Sequence, residues 1–215
     1  MNLKCAIIPV TPFQQNSTLV WNEDTMTGAS IDPGGDIEHI FKVSEEAGVR
    51  IEKILLTHGH LDHASGTAAL AAQLDVPVEG PHEEDAFLLN ALPEQAKKYG
   101  FPEASAVTPD RWLIGGDTVE VGGLTFDVRH CPGHTPGHVV FFHEPSRLAI
   151  VGDVLFQGSI GRTDLPRGNH ETLLRSIREQ LWPLGEDVAF VPGHGPMSTF
   201  GEERRSNPYV SDALQ

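Results

Sequence analysis

Cysteine is nearly absent: Cys5 and Cys131 are the only two in 215 residues. Two thiols cannot staple a chain of this length, so the fold must rest on a buried core, and reduced thiols in a cytosolic protein are the simpler expectation. Positive charge is scarce too, with 15 Lys+Arg against 30 Asp+Glu and a formal net charge of -15. Such a surface repels a phosphate backbone, so nucleic acid is not expected as a partner. No window approaches the roughly twenty apolar residues that a membrane helix needs. The N-terminal run Ala6-Ile7-Ile8 is short and is broken by Pro9 and Pro12, unlike an export signal. No membrane partner is expected, and the expected compartment is the cytoplasm.

Histidine is what the chain has in excess. Eleven occur, unevenly spaced, beside 22 glycines and 16 prolines. That composition suits a loop-rich enzyme with a metal site.

Strand and helix signals alternate along the chain. Thr18 to Trp21 and Gly28 to Ile31 read as strands ending in the turn Asp32-Pro33-Gly34-Gly35. Asp36 then caps a helix to about Ala47, with Gly48 as its stop. Ile51 to Leu56 is a buried strand, Gly66 to Leu74 a helix and Val76 to Val78 a further strand, followed by short helices over Glu83 to Leu92 and Pro93 to Tyr99. In the second half a hairpin is expected from Asp117 to Val121 and Leu124 to Arg129 around Gly122-Gly123. Strands at Val139 to Phe142 and Leu148 to Val151, a helix from His170 to about Leu181 and a strand at Val188 to Val191 complete the pattern. It predicts an α/β fold of two stacked sheets with helices outside, as a single domain over residues 1–215.

The candidate ligands all stand in loops just after predicted strands. His58, His60, Asp62 and His63 follow Leu56; His134 follows Arg129; Asp153 follows Val151; His194 follows Val191. Strand ends share one rim of a sheet, so such loops can aim several side chains at one point. Imidazoles and carboxylates are ligands for zinc, iron or manganese. A solitary histidine is usually structural, and His39, His82, His130, His138, His143 and His170 keep that reading, with His138 and His143 as hydrogen-bonded strand residues. Four ligand types within the six residues from His58 to His63 are hard to explain as structure alone. Cys131 reads as a small buried residue.

The runs Thr57-His58-Gly59-His60-Leu61-Asp62-His63, Gly133-His134-Thr135-Pro136-Gly137-His138, Gly152-Asp153 and Pro192-Gly193-His194-Gly195 resemble the metal motifs of the metallo-β-lactamase superfamily. Within it, Gly152-Asp153-Val154-Leu155-Phe156 is similar to the type II glyoxalases, the hydroxyacylglutathione hydrolases, in a short bacterial form. The resemblance implies an αββα sandwich with two mixed β-sheets, holding two divalent metal ions. Zinc is the first expectation, with iron and manganese as alternatives. His58, His60 and His134 would hold one ion, Asp62, His63 and His194 the other, and Asp153 would bridge them. The implied reaction is hydrolysis of a small-molecule thioester, S-lactoylglutathione to D-lactate and glutathione, by a metal-bridging hydroxide that Asp62 helps to orient.

The longer glyoxalases also hold glutathione with a basic residue, two tyrosines and a C-terminal helical domain. Arg162 occupies the basic position and is the expected substrate-binding residue, whereas Asp164 and Pro196 stand where the tyrosines would be. The helical domain is not expected here, and Arg204 and Arg205 read as a solvated helix face. The rival reading is a mononuclear iron persulfide dioxygenase, which shares the Gly161-Arg162-Thr163-Asp164 segment and needs only His58, His134 and Asp153. A lactonase of the same superfamily is the other alternative.

Overall fold

A computed structural model describes residues 2–214. Its first half forms a mixed sheet from β1 (Leu3–Val10), β2 (Gln15–Asn22), β3 (Thr27–Ile31), β4 (Arg50–Leu55) and β5 (Val78–Glu79), in that spatial order. The first three strands are antiparallel neighbours, while β3, β4 and β5 run parallel. Helix α1 (Ile37–Ala47) joins β3 to β4, and α2 (Leu61–Ala64) with α3 (Thr67–Leu74) joins β4 to β5. Helices α4 (Ala86–Asn90) and α5 (Leu92–Tyr99) follow.

The second sheet begins with β6 (Thr118–Val121), β7 (Leu124–His130), β8 (Val139–His143) and β9 (Leu148–Gly152). A small hairpin of β10 (Leu155–Phe156) and β11 (Ser159–Ile160) then projects on its own, ahead of α6 (His170–Ser176). Strands β12 (Ala189–Pro192) and β13 (Ser198–Thr199) complete the sheet in the order β13-β12-β9-β8-β7-β6, and α7 (Phe200–Ser206) follows.

Strands β8 and β9 are covered on both faces, which explains why they read as nearly unbroken apolar runs, whereas β6 and β7 alternate buried and exposed residues. Successive side chains point to opposite faces, so adjacent residues serve different cores. Val20, Leu55, Phe141, Ile150 and Val191 meet between the sheets, around Phe126. Their neighbours Leu19 and Ile54 instead pack under Ile40, Leu61 and Leu70 on the outside of the first sheet. Val140, Phe142, Val151 and Phe190 pack under Leu173, Ile177 and Phe200 on the outside of the second. The result is a helix–sheet–sheet–helix sandwich, as the residue pattern predicts.

Strand direction creates the functional rim. β8 is antiparallel to both β7 and β9, so those two run the same way, and β12 lies parallel to β9. The C-terminal ends of β7, β9 and β12 therefore emerge along one edge and deliver His134, Asp153 and His194 there. Backbone bonds close this edge onto the first sheet: Val139 donates to the Thr57 carbonyl at 2.8 Å and Asn16 to the Gly193 carbonyl at 2.7 Å.

Four details differ from the sequence reading. Leu3–Val10 is a strand despite Pro9, because it lies at the sheet edge and pairs only with β2. The strand expected at Val76 to Val78 sits instead at Val78–Glu79, where Ile54 and Leu55 pair with it. Asp36 is the residue before α1, but its carboxylate caps nothing in the helix: its backbone is left-handed (φ 48°) and Oδ2 accepts the Thr11 N–H at 2.7 Å. The helix from His170, capped by Asn169, runs on through a π turn over Ile177–Leu181. Gly48 terminates α1 in a left-handed conformation, as expected. Among the described residues, no helix is long and apolar enough to cross a membrane.

Phe126 is fully buried between the sheets. Phe126→Ala is expected to lower the unfolding free energy by about 3–5 kcal/mol, read from urea denaturation. A loss below about 1 kcal/mol would mean that the intersheet layer is not the main core.

Candidate metal centre

The loop after β4 carries His58 and His60, and the single turn of α2 places Asp62 and His63 side by side. The seven predicted residues converge. His60 Nδ1 lies 3.1 Å from His58 Nε2 and 2.9 Å from His134 Nε2. Asp62 Oδ2 lies 3.2 Å from His194 Nε2 and 3.9 Å from His63 Nε2. Asp153 stands between the two groups, with Oδ1 3.3 Å from His63 Nε2 and Oδ2 3.5 Å from His134 Nε2 and 3.7 Å from His194 Nε2. By distance, His58 with His60 and His134, and Asp62 with His63 and His194, could each hold a metal ion.

The surrounding hydrogen bonds determine where the ring protons sit. The Thr57 hydroxyl donates to Asp32 Oδ2 at 2.6 Å, so its oxygen can only accept from His58 Nδ1, 3.0 Å away. His134 Nδ1 donates to the Arg162 carbonyl at 2.7 Å, and His63 Nδ1 donates to Asp32 Oδ2 at 2.9 Å. In the neutral rings every Nε2 is thereby left a bare lone pair aimed into the cluster. His60 Nδ1 can give a proton to only one of its two facing nitrogens. Buried Asp153 Oδ1 and His63 Nε2 have no hydrogen-bond partner. A cation satisfies such a set, and the nitrogen–carboxylate donor chemistry suits a divalent metal ion.

Electrostatics agree with that fit. Burial and the neighbouring rings hold His58 far below the usual imidazole range, and burial pushes His60 down to about 3 and lowers His134. All three are the neutral form that binds metal. Burial opposes the charged forms of Asp153 and Asp62, yet His63 and the other facing rings hold both carboxyls below their ordinary value. Burial also opposes a charged His63 or His194. The carboxylates of Asp153 and Asp62 outweigh it and raise both rings.

Glycine makes the closest approaches feasible. A Cβ on Gly193 would stand 2.1 Å from Asp153 Oδ1, and one on Gly161 would stand 1.8 Å from the Asp153 carbonyl oxygen. No other residue fits either place.

Several supporting residues escape a reading of the sequence. Asp32 reads there as a turn residue, but it is 2% exposed and holds Thr57 and His63 together. Asp85 falls inside a predicted helix. It is fully buried, and its carboxylate accepts Gly59 N–H at 2.9 Å, Thr135 O–H at 2.8 Å and Gly137 N–H at 2.6 Å, tying the His58–His60 loop to the His134 loop. Burial pushes its pKa up to about 6. Asn16 Nδ2 donates to the carbonyls of Pro192 and Gly195, clipping β2 to the His194 loop. Asp85 stands in the acidic run Glu83-Glu84-Asp85 and Asn16 in the polar run Gln14-Gln15-Asn16-Ser17, so neither stands out in the sequence.

The remaining histidines divide. His143 is satisfied by Ser146 at 2.7 Å, as expected. His138 precedes β8 rather than lying in it and is not fully satisfied: Nε2 accepts the Asp153 N–H at 3.0 Å, while buried Nδ1 has no partner. Its ring stacks on His58 at 4.6 Å, which makes it part of the centre's wall. His82 and His130 are not solitary either, since they stack at 4.4 Å with planes only 13° apart near Glu84. Near-parallel rings do not converge their in-plane lone pairs, and His130 Nε2 is engaged with the Pro136 carbonyl. Cys131 is fully buried and burial raises its thiol pKa, so it is inert.

The centre floors a cavity of about 710 Å³, lined among others by Phe13, Leu88, Lys98, Tyr99, Phe156 and Arg162. Arg162 sits at its rim with its guanidinium in a two-pronged bond to Asp164, at 2.8 and 2.7 Å. Arg204 pairs with Asp212 and Glu186, Arg205 pairs with Glu202, and neither lines the cavity.

The sequence profile of the Metallo-beta-lactamase superfamily matches residues 10–194, which include all seven converging side chains. The chain belongs to the metallo-β-lactamase superfamily. It is a metallo-hydrolase of that superfamily, and its sandwich is the metallo-β-lactamase fold. The hydroxyacylglutathione hydrolase GloC of Haemophilus influenzae is 47% identical over 212 residues, 98% of this chain and 99% of the relative. The crystal structure of the BLEG-1 B3 metallo-β-lactamase superposes with a TM-score of 0.88 at 36% identity, covering 96% of this chain and 99% of that one. TTHA1623 in a di-iron-bound form superposes with a TM-score of 0.87 at 35% identity, covering 95% of this chain and 100% of the other.

Two predictions follow from the supporting carboxylates. Asp32→Ala is expected to weaken divalent-metal affinity about 10–100-fold by freeing the His63 ring, measured by competition with a chelator. Unchanged affinity would remove Asp32 from the centre's support. The second concerns Asp85, which keeps its proton up to about pH 6 in the folded protein. An unfolded aspartate loses its own near pH 4 (about 3.9), so this group draws stability down as pH rises from about 4 to 6. In metal-free protein, Asp85→Asn should flatten that part of the stability–pH curve; identical slopes in both proteins would refute the assignment.

Proposed function

We propose that this superfamily member hydrolyses a thioester, S-lactoylglutathione to D-lactate and glutathione, with two divalent metal ions, zinc in the first place. In this reading His58, His60 and His134 hold one ion, Asp62, His63 and His194 the other, and Asp153 lies between them. The observation that carries it is the pair of donor clusters on either side of Asp153 at the floor of one cavity. The GloC relative and the di-iron form of TTHA1623 support the same reaction class and a dinuclear centre.

When bound, two divalent ions supply an acidified water and polarise the acyl carbonyl. The protein's own part is orientation and charge. Asp62, held ionised by the rings around it, would accept a hydrogen bond from a water at the centre and so orient it for attack. The neutral His58, His60 and His134 rings add no charge, so Asp62 and Asp153 only partly offset two dications, and the centre attracts an anionic substrate. The leaving thiol has a pKa of about 8.5 and departs as thiolate without a strong general acid. Leu88, Phe156, Ile160 and Leu165 give the cavity apolar walls that limit competing water.

The test uses protein reconstituted separately with zinc, manganese and iron. Loss of the S-lactoylglutathione thioester is followed by absorbance, and oxygen uptake with glutathione persulfide is followed on the same samples. Thioester loss without oxygen uptake is expected. His60→Ala and Asp153→Ala should each lose more than the roughly 100-fold that removal of a supporting partner costs. Oxygen consumption by the iron form alone, with the thioester intact, would replace this reading with a mononuclear dioxygenase.

A further inference from the structure

The thiol carrier of the proposed substrate brings carboxylates to a chain of net charge -15, so its recognition has to be local. Two cationic side chains line the cavity, Lys98 and Arg162. The Arg162 guanidinium already has a carboxylate: Asp164 takes its Nε and Nη2 at 2.8 and 2.7 Å. Lys98 does not. Its ammonium stands 5.1 Å from the centroid of the Tyr99 ring, and no carboxylate among the described residues lies within ion-pair distance of it.

The helix that carries Lys98 is built for two surfaces. On α5, Leu92 and Ala96 are buried against the outer core of the first sheet. Gln95, Lys98 and Tyr99 are spaced i, i+3 and i+4, which places them on one face, and all three line the cavity. Tyr99 is 56% exposed, so packing does not account for an aromatic there. A lysine in a last helical turn commonly serves the helix dipole. Lys97 occupies the same turn and serves that purpose equally, but it does not line the cavity.

We propose that Lys98, flanked on the same helical face by Tyr99 and Gln95, is the specificity-determining cation that pairs with a carboxylate of the thiol carrier, the task the sequence alone gives to Arg162. The proposal rests on the thioester reading. It places carrier recognition on α5, a helix that lies between the two sheets in sequence.

The test compares two substrates in the metal-loaded enzyme: S-lactoylglutathione, whose carrier bears carboxylates, and S-lactoyl-N-acetylcysteamine, whose carrier is neutral. Lys98→Gln is expected to raise KM for the glutathione thioester about 5- to 30-fold with kcat nearly unchanged, and to leave the neutral thioester unaffected. Lys98→Arg should restore most of the loss, and Lys97→Gln should behave as wild type. Equal effects of Lys98→Gln on both thioesters, or no effect on either, would overturn the clamp while wild-type turnover keeps the thioester reading intact. Wild-type protein that cleaves neither substrate would overturn both.

Discussion

The structure is organised by the problem of burying lone pairs that face one another. His58 Nε2 and His134 Nε2 each lie about 3 Å from His60 Nδ1 with at most one proton to share, because the Thr57 hydroxyl and the Arg162 carbonyl have taken the other ring protons. Across Asp153, His63 Nε2 faces a carboxylate oxygen 3.3 Å away, and neither buried atom has a hydrogen-bond partner. Unpaired polar atoms at such depth cost several kcal/mol each in general. A sequence that folds this way must either lose stability or hold cations there. The superfamily membership and the donor chemistry make the second the sensible outcome.

Everything near the centre then serves to keep those atoms in place. The common direction of β7, β9 and β12 brings three candidate ligands to one edge, and the Asn16 clip ties the His194 loop to the first sheet. Asp32 and Asp85 divide the remaining work. One orients His63 and, through Thr57, His58; the other binds two ligand loops by their backbone. Buried carboxylates are expensive, and the raised pKa of Asp85 records that expense. Both are tolerated because each satisfies at least three donors that would otherwise be orphaned.

Much of this was legible in the residues, and the reasons are local. Apolar runs such as Val139 to Phe142 and Leu148 to Val151 mark the strands without help from any long-range contact, so the sandwich follows from them. The convergence of these side chains was foreshadowed by the dense run from His58 to His63, which is hard to explain as structure alone. What stayed hidden depends on partners distant in sequence. Leu3–Val10 looks broken by Pro9 until it is known to be an edge. Asp36 looks like a cap until Thr11 takes its carboxylate. His138 looks like a strand residue until its ring is found against His58. Lys98 looks like a helix-dipole lysine until the cavity is found beside it.

Arg162 shows why charge type alone does not identify a binding residue. By resemblance it takes the basic position of the longer glyoxalases, yet here Asp164 engages its guanidinium through two hydrogen bonds. A guanidinium held through Nε and Nη2 by one carboxylate has part of its charge compensated before an anion arrives, whereas Lys98 has no such partner among the described residues. What survives of Arg162 is its backbone: the carbonyl that holds the His134 proton does not depend on the side chain. The two roles have separated, with the main chain supporting the centre and the side chain compensated locally. With the Arg162 charge partly compensated, the other cation lining the cavity is Lys98 on α5.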